Sequence, residues 1–113
     1  MMKAIRIHQL EGIDALRFED APKPEPSSSQ VQIRVHAAAC NFADTLQIRG
    51  LYQTKPPLPF TPGLEVSGEV SAVGEDVSDL ALGTRVMGWV PFGAFAEYAK
   101  VKESQLIKKP EAL

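Results

Sequence analysis

A chain of 113 residues has room for one domain, and at that size folding buries roughly two-thirds of the surface that the unfolded chain exposes. Hydrophobic residues make up 44%, charged residues 23%, and the formal net charge is -2, a composition of an ordinary soluble domain rather than a disordered, fibrous or membrane chain. No basic stripe or cationic amphipathic helix speaks for nucleic acid or a membrane surface, the single cysteine, Cys40, excludes an intrachain disulfide, and no apolar run has signal-peptide or spanning length, so a cytoplasmic protein is expected.

Residues 2–8 alternate loosely and predict a first strand with Ile5 and Ile7 on one face. Glu11-Gly12 turns the chain, and Leu16 to Asp20 is a second strand. Pro22, Pro24 and Pro26 followed by three serines then make ladder pairing implausible, so that segment is a surface loop. From Gln30 the alternation is clearest: Val31, Ile33, Val35 and Ala37 share one face against Gln30, Gln32, Arg34 and His36.

This strand runs through small residues into Cys40-Asn41-Phe42-Ala43-Asp44, the start of a short helix. Asn41 is placed to cap it through its amide oxygen, Asp44 sets negative charge in the positive first turn, and Gly50 ends it. Four prolines among Lys55 to Pro62 forbid helix and central strand in the loop that follows. Leu64 to Gly74 alternates again, with Gly68 marking a bulge or a close backbone approach. Thr84 to Val90, Ala94 to Val101 and a short segment near Gln105 to Lys108 complete about seven short strands with Gly or Pro turns between them. That pattern predicts a mainly β barrel or sandwich with one or two helical turns.

The chain carries no G-x-G-x-x-G and no phosphate loop, and its five-residue glycine spacings lack the following Lys and Ser/Thr. It therefore has no dinucleotide-binding fold of its own. One Cys and two His are too few for a zinc site of ordinary spacing. His8 and His36 are expected in solvent, and Cys40 is expected to be buried and inert, with no base nearby to activate it. Asn41, Asp44 and Tyr52 remain: either they build a helical corner, or an amide and a phenol also orient a carbonyl through directed hydrogen bonds.

The order Asn41-Phe42-x-Asp44, Arg49-Gly50-Leu51-Tyr52, Leu58-Pro59-Phe60-x-Pro62-Gly63-x-Glu65-x-x-Gly68, Val73-Gly74, Gly83-x-Arg85-Val86 and Gly93-Ala94-Phe95-Ala96-Glu97-Tyr98 resembles zinc-independent quinone oxidoreductases. These form the zeta-crystallin branch of the medium-chain dehydrogenase/reductase superfamily, and the similarity covers nearly the whole chain. The resemblance implies a GroES-like, partly open β-barrel with one or two short helices, residues 1–113 forming the N-terminal substrate domain. A Rossmann domain that binds NADPH would lie outside this chain, with the nicotinamide between the two domains. Hydride would pass to a quinone or an α,β-unsaturated carbonyl. Carried over by position, Asn41 would contact the nicotinamide end of the cofactor or the substrate carbonyl, and Tyr52 would line the pocket with Phe42 and donate its hydroxyl to the developing oxyanion. Asp44 and Glu65 would be structural support. Where zinc-dependent relatives carry a Cys and a His, this chain has Asn41 and Leu64, so no zinc is expected.

These 113 residues are accordingly expected to be inactive alone, as one part of a longer chain that dimerises, if at all, only in its full-length form. A trans-2-enoyl reductase fragment is the competing enzyme reading. A stand-alone GroES-like module that binds without catalysis is the competing class. An apolar face exposed on the domain would favour a part of a larger chain over a free module.

Overall fold

The two segments with the strongest two-residue periodicity pair with each other and form the centre of the molecule. The computed structural model describes residues 1–113 throughout. Its strands are β1 (Met2–Ile7), β2 (Leu16–Ala21), β3 (Gln30–Ala39), β4 (Glu65–Val73), β5 (Arg85–Trp89), β6 (Tyr98–Lys102) and β7 (Leu106–Lys108), with one helix, α1 (Phe42–Gln47). Single 3-10 turns at Gly12–Ala15 and Glu103–Gln105, neither legible as such in the sequence, tighten two connections. Strands β1 and β2 form a two-stranded ladder, and the other five form a sheet in the order β6-β3-β4-β5-β7. Every pairing is antiparallel. The ends of the larger sheet do not pair with each other, so the fold is mainly β and its barrel is open.

The core lies on one face of that sheet. Val31, Ile33, Val66, Val70, Val86 and Val101 are almost wholly buried there with Leu80, Val90 and Ala94, and each such aliphatic side chain contributes roughly 1.5–3 kcal/mol by leaving water. A second cluster of Ile7, Ile48 and Phe60 packs α1 and the proline-rich loop against β1. It fixes the helix to the barrel.

Two expectations about register need correction. Ala37 does not share a face with Val35: the β3–β4 register shifts between them, Val35 facing Gly68 and Ala37 facing Ser67. This bulge at His36 reverses the parity of the end of β3, so that Ala38 packs against the core and Ala37 is exposed. The last long strand begins at Tyr98 rather than Ala94. Ala94 to Glu97 divides its hydrogen bonds between the proline-rich loop and strands of different sheets: the Ala94 and Phe95 N–H groups donate to Gly63 O and Pro62 O, Phe95 O accepts from Ile5 N–H at 2.8 Å, and Glu97 O accepts from Val35 N–H at 2.8 Å. A segment shared in this way cannot form one continuous ladder.

Candidate functional site

Helix α1 hangs from the end of β3, and its first turn sets the geometry of the candidate site. Asn41, in extended conformation with φ -130° and ψ 158°, is the N-cap, and Asn41 and Asp44 stand in capping-box register. The carboxylate half of the box is closed, the Asn41 N–H donating to Asp44 Oδ2 at 2.7 Å. The expected amide half is not a full hydrogen bond: the Asp44 N–H donates at 3.0 Å to the Asn41 backbone carbonyl instead. The Asn41 side chain is drawn elsewhere, its Nδ2 donating to Glu65 Oε2 at 3.1 Å. Glu65 opens β4 and faces Ala39 across the ladder.

The helix closes as the sequence predicts. The Leu51 N–H reaches Leu46 O at 2.9 Å and the Gly50 N–H reaches Gln47 O at 3.1 Å, with Gly50 at φ 72°. Asp44 and Gln47, three residues apart on the inward face, are 7% and 1% exposed. Gln47 Nε2 donates to Pro91 O at 3.0 Å, which ties the helix to the loop after β5. Asp44 Oδ1 and Gln47 Oε1 accept nothing from the protein. Asp44 is thus a buried acid bonded to the Asn41 N–H.

Outward, the same corner opens onto the exposed face of the larger sheet. A trough of about 460 Å³ runs over β3, β4, β5 and β7, with Glu65, Trp89, Met87 and Ile107 among its lining residues. Register explains the grouping: Ala39, Glu65 and Trp89 form one cross-strand row, and Ala37, Ser67, Met87 and Ile107 form the next. Trp89 and Ile107 are 58% and 60% exposed, and Phe42, at the start of α1, is 78% exposed. Glu65 has no cationic partner among the ion pairs of the chain, so its charge is met by the Asn41 amide.

The structure thus brings Asn41, Asp44 and Glu65 into one hydrogen-bonded corner beside an exposed Phe42. Tyr52 is half-buried in the bend after the helix and takes no part in that network. Trp89 was not singled out by the sequence. Alternation over Arg85 to Val90 does assign it to the outer face, but its place beside Glu65 depends on the β4–β5 register.

Cys40, expected inside, is exposed. It falls one residue past the last β3–β4 pair, Ala39 with Glu65, where the chain leaves the ladder and no sheet face covers it. Its neighbours in a shallow apolar depression include Ile5 and Phe18. His8 and His36 are exposed as expected, though His8 Nε2 lies 2.8 Å from Glu19 Oε2. No three His, Cys, Asp or Glu side chains converge in a way that could hold a metal ion. No helix is long and apolar enough to cross a membrane.

Residues 27–111 match the model of the alcohol dehydrogenase GroES-like domain. The chain is 40% identical over 115 aligned positions to the quinone oxidoreductase of Sus scrofa, covering all of this chain and 35% of that protein. Among solved structures, it superposes on a quinone oxidoreductase of Pseudomonas syringae with a TM-score of 0.94 at 33% identity, again covering 100% of this chain and 35% of the other. A mycobacterial protein complexed with NADPH gives a TM-score of 0.91 at 34% identity, with the same coverage. The chain spans between 26% and 35% of the length of the curated relatives it matches.

Proposed function

The chain belongs to the alcohol dehydrogenase GroES-like domain family, and from that premise we propose that it is the substrate-side domain of an NADPH-dependent, zinc-independent reductase of quinones or α,β-unsaturated carbonyls. A second, Rossmann-type domain would complete the site, and the 113 residues would be inactive without it. The observation that carries this reading is the apolar patch of exposed Trp89 and Ile107 with half-buried Met87, beside Glu65 of the Asn41–Glu65 corner. A free binding module would be expected to present polar residues there. We place the enzyme in the cytoplasm and its dimerisation, if any, outside this domain.

The residues fit the nicotinamide end of the cofactor and no more of it. Asn41 has one amide hydrogen committed to Glu65 and a second to offer, and Phe42 presents an exposed ring beside it. Nothing resembling a glycine-rich phosphate cradle is present for the adenosine half. Bound in the cleft, the nicotinamide would supply the hydride. The part played by this chain is to orient and exclude. Glu65 fixes the rotation of the Asn41 amide and leaves its second N–H to donate to a carbonyl oxygen. Tyr52, with a hydroxyl uncommitted to that network, donates to the same oxygen as charge builds on it. Phe42 closes the apolar side and keeps water from the reacting carbon.

The test follows NADPH absorbance with a panel of quinones and enones, using this chain and a longer chain carrying the following domain. Only the longer chain is expected to turn over. There, Asn41→Ala and Tyr52→Phe should each lower kcat/KM by about tenfold to a hundredfold, the range for one directed hydrogen bond to developing charge. Turnover by the 113 residues alone would refute the divided site, and unchanged kinetics for Tyr52→Phe would remove Tyr52 from it.

A further inference from the structure

Away from the Asn41 corner, between β1, the end of β2, β6 and three proline-bearing loops, lies a separate cavity of about 380 Å³, within the range of small-molecule sites. Its lining holds three cations, Arg6, Lys23 and Lys100, and no aspartate or glutamate. The chain as a whole carries -2, so this is a local reversal of sign. The cations are not equivalent. Arg6 is spent on protein partners, Nη1 lying 3.6 Å from Glu19 Oε2 and Nη2 donating to Pro59 O at 3.4 Å. Lys23 and Lys100 enter no ion pair.

The rest of the lining is aromatic and stiff. Lys23 Nζ sits 4.1 Å from the centroid of the Tyr98 ring, which holds an otherwise flexible ammonium at the wall of the cavity. Phe60 and Phe92 meet edge to face, 6.3 Å apart at 77°, so one ring supports the other. Five prolines line the same space, and their fixed φ leaves little loop freedom to lose when a ligand enters. A cavity with a rigid aromatic wall and two unpaired ammonium groups selects by two criteria together, a flat apolar body and a negative charge. Either alone is a poor match: a small inorganic anion leaves the rings wet, and a neutral arene leaves the lysines unanswered.

We propose that this cavity is a binding site for a small aromatic carboxylate or similar organic anion, distinct from the reductase site and independent of whether that assignment holds. Lys23 and Lys100 meet the anion, while Tyr98 and Phe92 take the ring and Phe60, itself buried, backs Phe92.

Isothermal titration of the 113-residue chain with 2-naphthoate, and with neutral 2-naphthamide as its isostere, tests this. The expected result is that naphthoate binds at least tenfold more tightly than the amide, that Lys23→Glu and Lys100→Glu each weaken naphthoate at least fivefold, and that added salt erodes the difference. Phe92→Ala should weaken both ligands, whereas Trp89→Lys on the opposite trough should weaken neither. Both lysines are exposed, so the reversals are compatible with folding, and Lys100→Gln offers a milder second variant. Equal affinity for acid and amide, or naphthoate binding that ignores both lysine reversals, overturns the proposal. Loss of binding on Trp89→Lys alone assigns the ligand to the trough and overturns it as well.

Discussion

A side chain at residue 50 meets a backbone conformation that disfavours it. Gly50 sits at φ 72°, and a Cβ built there would lie 2.9 Å from Leu10 Cδ1. The left-handed conformation alone costs a side chain about 1–2 kcal/mol, so Gly50→Ala should lower unfolding stability by at least about 1 kcal/mol in a urea titration. No loss would mean that the closure of α1 relaxes freely, and with it the position of Asn41. At this scale the sequence was legible wherever a residue acts on its immediate neighbours. The Asn41-x-x-Asp44 spacing announced a capping arrangement, and the Arg49-Gly50 step announced the helix end. It was not legible where a residue acts across the sheet. Asn41 and Glu65 are 24 positions apart and meet only because β3 and β4 pair in one register. The exposure of Cys40 has the same origin, since it follows from where that ladder stops.

Among the elements, β3 and β4 carry the most information and the sharpest constraint. Gly68 was expected to mark a bulge or a close approach, and it does both: Val35 faces it at the register shift, and a Cβ there would fall 2.1 Å from the Arg34 carbonyl oxygen. Because the obstacle is backbone rather than a pliable side chain, Gly68→Ala should cost about 3 kcal/mol, the upper range for overpacking. Thermal unfolding would check this, and a melting temperature within a degree or two of the parent would show that the bulge can migrate. Two-residue alternation located every strand but could not see the bulge, which changes parity without changing composition. For the same reason alternation puts Ala37 on the wrong face. The 3-10 turns escaped because Gly12 to Ala15 and Glu103 to Gln105 carry too few residues to show a period.

For the molecule as a whole, the open barrel leaves one side unsatisfied. The trough face joins exposed Trp89 and Ile107 with half-buried Met87 into one apolar surface. Trp89→Lys combined with Ile107→Lys should therefore raise the solubility of the 113-residue chain and reduce its self-association in sedimentation, while leaving its stability within about 0.5 kcal/mol, as for surface changes generally. A large stability loss would place these side chains in the fold rather than on an interface. The two sheets are joined by a different device. Glu97 donates its N–H to Lys3 O at 3.1 Å and accepts from Val35 N–H at 2.8 Å, so one residue outside any regular strand is bonded to both sheets. Neither sheet can then open without releasing the other, and the domain should behave as a single cooperative unit. In native-state hydrogen exchange the amides of Ile5, Val35 and Glu97 should exchange together, at the free energy of global unfolding. Earlier exchange of Ile5 would reveal a two-stranded flap that peels away by itself, and a segment with no strand of its own would lose its standing as the latch of the fold.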